Sequence, residues 1–312
     1  MRIDYHRTLI ADRVRHASFH AALTRAITPG VTTVADIGAG TGLLGLMASK
    51  LGAKRVYLYE TAEVAGVAAR ILKANKARNC ELFACHSTQM IDPPRVDVVV
   101  SETLGNYAFE ENIIDTMADA RARHLAPGGL LIPSGIKQFV SPVVSDRIHR
   151  ELTVWDEIGF GLDLAIGKGM SLNNAYVRVL QPAELLDGGG SAVMWDRIDF
   201  TRDAKSARRG EARWGVEKPA TIYGFATWWE AYLAPGIVLS TAPDAAQTHW
   251  EQLYFPLLEP MSLAAGEAVS LSLRSRSSEE GGTHLAWTAT HEDANGRQRA
   301  RQVMDLDKGY LS

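Results

Sequence analysis

The sequence predicts an α/β domain followed by an antiparallel β domain. Up to about residue 133, short apolar runs rich in β-branched residues alternate with helical stretches, the pattern of a doubly wound parallel sheet. Beyond Pro133, short alternating strands separated by Gly, Pro, Asp and Asn dominate, which fits an antiparallel barrel or sandwich. A chain of 312 residues also exceeds the most economical single core, so two domains are expected, 1–133 and 134–312.

Taken in order, residues 7–27 read as a helix, because Leu9, Ile10, Val14, Phe19, Leu23 and Ile27 recur at helical spacing. "TTVADIGAGTGLLGLMASKLGA" gives a strand, a glycine turn, a helix and a Gly stop. "RVYLYE" is a second strand and 61–76 a second helix; "CELFACH" and "RVDVVVSE" are the third and fourth strands. Residues 111–124 form a further helix, and "LAPGGLLIPSG" a turn with a fifth strand. The β domain then takes "IKQFVSPV", "SAVMWDRIDF", "TIYGFATWWEAYL", "GIVLST", "AVSLSLRSR" and "THLAWTATHE" as strands. Residues 147–172 interrupt it with helical patterning and large apolar residues. The "DGGGS" at 187–191 is a turn, since no strand-to-helix switch surrounds it as a phosphate loop would require.

The bulk composition excludes several classes. A net charge of −3 argues against a general nucleic-acid binder. Cys80 and Cys85 fit neither a disulfide framework nor a metal-binding spacing, so no metal site is expected. The charged start "MRIDYHRTLIADRVR" has no apolar core of signal-peptide length, and no run approaches a membrane span. A cytoplasmic protein with no membrane partner is the expectation.

Two places carry chemistry. In "VADIGAGTG", Asp36 precedes a turn whose Gly38 and Gly40 let the backbone approach a ligand at the end of the first strand. The third glycine comes one position earlier than in the dinucleotide fingerprint, which favours a nucleoside ligand without a pyrophosphate. Glu60 ends the second strand about twenty residues on, where an acid can accept from both ribose hydroxyls. Together these features resemble the first two motifs of class I S-adenosylmethionine-dependent methyltransferases.

The second place is "SETLGNYAFEEN". Glu102 ends the fourth strand and Glu111 opens the next helix, nine positions later. Two carboxylates facing one point repel and tend to share a proton. A guanidinium resolves the repulsion, being planar, permanently charged and able to donate in pairs. Glu111 could also serve as an acid at a helix N-terminus, which leaves Glu102 unexplained.

This segment resembles the double-glutamate loop of the protein arginine methyltransferases, and "THW" at Thr248–Trp250 resembles their other signature loop. "LAPGGLLIPSG" and the barrel pattern also match, so the resemblance covers nearly the whole chain from about Tyr5. It implies a Rossmann-like methyltransferase domain, a β-barrel domain, and a dimerisation arm at about 147–172 that makes the protein a homodimer. It implies S-adenosyl-L-methionine as cofactor, with Arg15 on its carboxylate, His6 over its site, Gly38 and Gly40 beside it, Glu60 on the ribose, and Ser87 where an acid commonly meets the adenine amine. Glu102 and Glu111 would clamp the acceptor, Asp12 would bond to His249, and Leu9, Tyr107 and Trp250 would belong to the acceptor pocket.

The resemblance has departures. Thr103 and Asn106 stand where the family prefers aromatics, Leu9 replaces a methionine, and the family's N-terminal lid helix is expected to be missing. The resemblance implies arginine in a peptide or protein as the acceptor, and these departures open the alternative of free arginine or another guanidino or amine metabolite. A non-catalytic dimeric scaffold is the third reading, one that would not need to keep these motifs.

Overall fold

The computed structural model describes residues 3–157, 159–278 and 281–308. The chain opens with two helices, α1 (Ile3–Ala11) and α2 (Arg13–Ala26), where the periodicity predicts one. The break is at Asp12, whose extended backbone and side chain cap α2 by accepting from the Arg15 N–H at 2.8 Å. Such a cap contributes about 1 kcal/mol, and here it turns the chain at a residue that also reaches the far domain. Helix α2 buries Phe19, Ala22 and Leu23 along one stripe and packs against the first helix of the α/β domain and two strands of the β domain.

The α/β domain runs β1 (Thr33–Ile37), α3 (Leu43–Lys50), β2 (Arg55–Tyr59), α4 (Ala65–Ala74), β3 (Cys80–Phe83), β4 (Val96–Ser101), α5 (Ile113–Asp119) and β5 (Leu125–Ile132). The predicted helix 61–76 is shorter at its start, and that predicted over 111–124 begins two residues later and finishes as a π-helical turn, Ala120–His124. Strand order is β3-β2-β1-β4-β5, every pair parallel. The central strands β1 and β4 are almost wholly buried, which is why they read as unbroken apolar runs. The order reverses between β1 and β4, and such a reversal opens a crevice beyond the strand ends. Glu60, the glycine turn and Glu102 follow three adjacent strands, so about 5 Å separates neighbouring strand ends.

Two antiparallel sheets follow. The first contains β6 (Gly135–Val143), β7 (Tyr176–Arg178), β8 (Val193–Asp199), β10 (Ala220–Ala234), β11 (Ile237–Ser240) and β12 (Gln252–Leu263). The second contains β9 (Ala207–Gly215), β13 (Ala268–Ser278), β14 (Gly282–Glu292) and β15 (Gln298–Asp305). Their inner faces meet through Trp214 against Phe225 and Phe255 against Trp287, with ring centroids 5.7 and 4.8 Å apart. Strands β7, β9, β12 and β15 are additions to the sequence reading. Strand β9 is exposed at alternate positions and polar, and β12 contains two prolines, so neither carries a plain strand signal.

Between β6 and β7 lie α6 (Arg147–Leu152), a 3-10 turn (Val154–Asp156) and α7 (Ala165–Leu172). This insertion exposes Val154, Trp155, Phe160, Leu162, Ile166 and Met170, with Phe160 90% exposed. Clustered exposure of large apolar side chains marks a contact surface. Residue 158 within it lies outside the described residues. The "DGGGS" segment enters a short 3-10 turn, Leu186–Gly189. Among the described residues, no helix is long and apolar enough to cross a membrane.

Candidate active site

Beyond the ends of β1, β2 and β4, a cavity of about 260 Å³ is lined by His6, Leu9, Arg15, Asp36, Gly38, Gly40, Glu60, Glu102 and Glu111. Nine of the expected site residues thus share one space. Gly38 and Gly40 have φ of +71° and +56°, a left-handed backbone that favours glycine. A Cβ on Gly38 would also come within 2.6 Å of the Thr103 methyl, so the cofactor turn and the glutamate loop touch.

Glu60 secures the turn. One carboxylate oxygen accepts from the Gly40 N–H and the other from the Ala62 N–H, both at 2.7 Å. A carboxylate has about four lone-pair sites, so Glu60 retains acceptor capacity. Asp36 accepts from the Gly45 N–H at 2.7 Å, yet burial pushes its carboxyl up to about 7. His6 packs over Gly40, and burial lowers its pKa, leaving the ring neutral at pH 7.

The acceptor side has a feature that the spacing alone does not reveal. Arg15 turns its guanidinium onto Glu102, donating through Nε at 2.5 Å and through Nη2 to the same oxygen. Both side chains are less than 10% exposed. Burial raises the Glu102 pKa, and Arg15 opposes that shift. Arg15 Nη1 and His6 Nε2 are buried and without a partner among the described residues. Buried polar atoms of this kind call for a ligand or water.

Glu111 stands two residues before α5 rather than within it, ahead of Asn112 in a left-handed conformation. It accepts no hydrogen bond among the described residues. Although its surface is partly open to water, the protein packed around it and then the Glu102, Glu110 and Glu60 carboxylates push its pKa up to about 7. A raised carboxyl pKa means that Glu111 is protonated below that value and ionised above it. Acceptor kcat/KM is therefore expected to climb by close to tenfold per pH unit below about 7 and to level off above it. A flat profile between pH 5.5 and 8 in steady-state kinetics would contradict the assignment. The sign for stability is opposite: the folded state holds a proton that the unfolded state has released, so this group's contribution weakens as pH rises from about 4.5 to 7.

Five expected residues lie elsewhere. Asp12 and His249 do not line the cavity; they bond to each other behind it. Asp12 accepts from the His249 backbone N–H at 2.8 Å and from Nδ1 at 2.7 Å. Burial drives the Asp12 carboxyl up, but hydrogen bonds from Arg15 and His249 outweigh it and hold it below its usual value. Burial lowers the His249 pKa against the pull of Asp12, so a neutral imidazole donates from Nδ1.

Trp250 also stands behind rather than along the cavity. It packs on His249 with centroids 3.9 Å apart and donates from Nε1 to the Leu104 carbonyl at 2.8 Å. Ser87 is buried away from the cavity because it starts a 3-10 turn whose cap, His86, takes the lining position. Tyr107 is the clearest correction. It is 1% exposed and points into the β domain, where its ring packs against Phe109 and its hydroxyl bonds to Ser275 and Gln138. The sequence reading passed over His86, which lines the cavity, and Trp229, which donates to the Gly105 carbonyl at 3.0 Å; Thr103, noted there only as a departure, also lines the cavity. His86 follows β3 as Glu60 follows β2, and that shared place at a strand end is the signal for it.

The comparisons now bear on this geometry. Residues 137–291 match the arginine methyltransferase oligomerization subdomain, and residues 20–158 match the ribosomal protein L11 methyltransferase family. Protein arginine N-methyltransferase 6 of Xenopus tropicalis is 26% identical over 96% of this chain and 92% of its own. The chain is similar to protein arginine N-methyltransferases over nearly its whole length. A probable protein arginine N-methyltransferase 3 of Arabidopsis thaliana is 30% identical over 85% of this methyltransferase and 48% of its own length. In fold, this methyltransferase is similar to the Trypanosoma brucei arginine methyltransferase 1 enzyme–prozyme heterotetramer with S-adenosylhomocysteine, at TM-score 0.87, 21% identity and 98% coverage of both chains. Arabidopsis thaliana arginine methyltransferase 10 gives 0.81 at 22% identity, again over 98% of both.

Proposed function

We propose that this chain transfers a methyl group from S-adenosyl-L-methionine to a guanidinium nitrogen of arginine in a peptide or protein. The observation that carries the reading is the meeting of Glu102 and Glu111 with the glycine turn and Glu60 in one cavity. The donor set suits the cofactor: Arg15 Nη1 is an unpartnered cation for its carboxylate, and Glu60 an acceptor for its ribose hydroxyls. When bound, S-adenosyl-L-methionine supplies an electrophilic methyl carbon on a sulfonium.

The protein's part is orientation and charge. Glu102 and Glu111 pin the guanidinium and draw its positive charge away from the attacking nitrogen. Alignment of that nitrogen with the methyl carbon contributes several kcal/mol, about 7 or more where geometry is close to ideal. The nitrogen's proton leaves to a glutamate or to water. Trp250 and the Asp12–His249 pair hold the loop and the N-terminal helices against the β domain. Thr103 lines the cavity where the family resemblance implies an aromatic, and this smaller side chain favours free arginine or a small guanidino compound as the second reading.

Initial rates with an arginyl peptide, free arginine and a lysyl peptide test these readings. Faster transfer to the arginyl peptide is expected. Preference for free arginine would favour the metabolite reading, and failure to bind S-adenosylhomocysteine would favour a scaffold.

The same proposal divides the chain at 133/134 and makes 147–172 the arm of a homodimer. Its exposed apolar residues support this. Light scattering at micromolar concentration is expected to give twice the 34.0 kDa chain mass, and Phe160→Asp with Ile166→Asp to halve it; a wild-type monomer would refute the dimer. A cytoplasmic location completes the proposal.

A further inference from the structure

Tyr107 does not serve as a pocket wall, and its environment gives it another use. Its hydroxyl reaches the seam between the two antiparallel sheets, where it bonds to Ser275 Oγ on β13 and accepts from Gln138 Nε2 on β6 at 3.3 Å. Gln138 Nε2 lies 3.5 Å from Asp196 Oδ2 on β8. Asp196 takes a two-pronged bond from Arg208 on β9, Nη2 at 2.7 Å and Nε at 2.9 Å. One side chain from the glutamate loop is thereby tied to four strands of both sheets. Tyr107, Gln138, Asp196 and Ser275 are all less than 10% exposed. Burial pushes the Tyr107 hydroxyl well above its ordinary pKa, so it stays neutral and can donate while it accepts.

The placement along the loop matters. Trp250 and Trp229 hold the carbonyls of Leu104 and Gly105, close to Glu102, and Arg15 holds Glu102 itself. Asn106 is held by the Glu251 N–H at 2.9 Å. Glu111 has no bond of its own among the described residues. Its distance from Glu102 is set by whatever fixes the intervening backbone; Tyr107 is the last side chain before it that is hydrogen-bonded to the β domain, and the buried Phe109 packs edge-on against its ring, centroids 5.5 Å apart. A phenylalanine would keep the packing of the ring and lose only the hydroxyl's bonds to Ser275 and Gln138.

We propose that Tyr107, through Ser275 and the Gln138–Asp196–Arg208 chain, is a positioning residue that fixes the separation of Glu102 and Glu111. The proposal rests on the methyl-transfer reading for its kinetic consequence but not for its geometric one. Tyr107→Phe is expected to lower kcat for an arginyl peptide by roughly tenfold, because small misplacements near a reacting centre are costly. Cofactor affinity, measured with S-adenosylhomocysteine, is expected to stay within about twofold, since no cofactor-side contact changes. Ser275→Ala is expected to act in the same direction and Ser275→Thr, which keeps the hydroxyl, to retain activity.

A second readout needs no turnover. A carbon-13 NMR titration of the Glu111 carboxyl reports its distance from Glu102, since their repulsion contributes to its raised pKa. That titration is expected to move by at least about half a unit in Tyr107→Phe or Ser275→Ala. A lower melting temperature with unchanged kcat and an unmoved Glu111 titration would overturn the proposal and leave Tyr107 a core residue. If the wild type fails to methylate but the titration still moves, the positioning stands and the methyl-transfer reading falls.

Discussion

Glu111→Gln is expected to reduce turnover on an arginyl acceptor by about a hundred- to a thousandfold, the scale of losing one preorganised charge partner in a reacting site. It is also expected to raise the melting temperature at pH 8. The two effects share one cause. Glu111 carries its charge against Glu102, Glu110 and Glu60 and has no hydrogen bond among the described residues to offset the repulsion. An amide of the same shape removes the repulsion and with it the ability to hold a cation. Residues kept at a cost to stability are a mark of active sites. Binding of S-adenosylhomocysteine, measured by calorimetry, is expected to stay unchanged. Wild-type turnover in this variant would remove Glu111 from the clamp.

Arg15→Ala is expected to act on two fronts. Its guanidinium meets Glu102 through Nε and Nη2 while Nη1 has no partner among the described residues. The planar fork therefore lets one residue steady the acceptor glutamate and still present a cation to the cofactor carboxylate. Removing it leaves Glu102 buried beside no positive charge. Breaking a buried pair in this way costs about 3–5 kcal/mol, reduced to the extent that Glu102 takes up a proton. Cofactor affinity is expected to fall by about a hundredfold, the worth of a charge-assisted hydrogen bond pair. Arg15→Lys keeps the charge without the fork and should lie between the two. Unchanged S-adenosylhomocysteine affinity in Arg15→Ala would mean that another group meets the carboxylate.

The parallel sheet was legible because burial on both faces forces β-branched apolar runs, as in "RVDVVV". The glycine turn and Glu60 were legible because they stand at the ends of those runs, where the strand order brings them together. Asp12 shows what periodicity conceals: Leu9, Ile10 and Val14 keep helical spacing across a helix break. Strands β9 and β15 were not legible, since their exposed faces carry arginines and glutamines in place of apolar alternation. Within the site, residue types pointed to Glu102 and Glu111, but the direction of a side chain depends on neighbours far along the chain. Tyr107 turns inward because Gln138 and Ser275 offer partners there, 31 and 168 positions away. Trp250 backs the loop for the same reason, its indole N–H finding a carbonyl 146 positions earlier.

The central claim is that this cavity places a methyl group on a guanidinium nitrogen. Tandem mass spectrometry after incubation with an arginyl peptide and methyl-deuterated S-adenosylmethionine tests it most directly, with Glu111→Gln alongside as the control. A deuteromethyl group on the arginine side chain, present with the wild type and absent with the variant, is predicted. Labelled product on a lysine or on the peptide's amino terminus, or an equal arginine signal from both proteins, would contradict it.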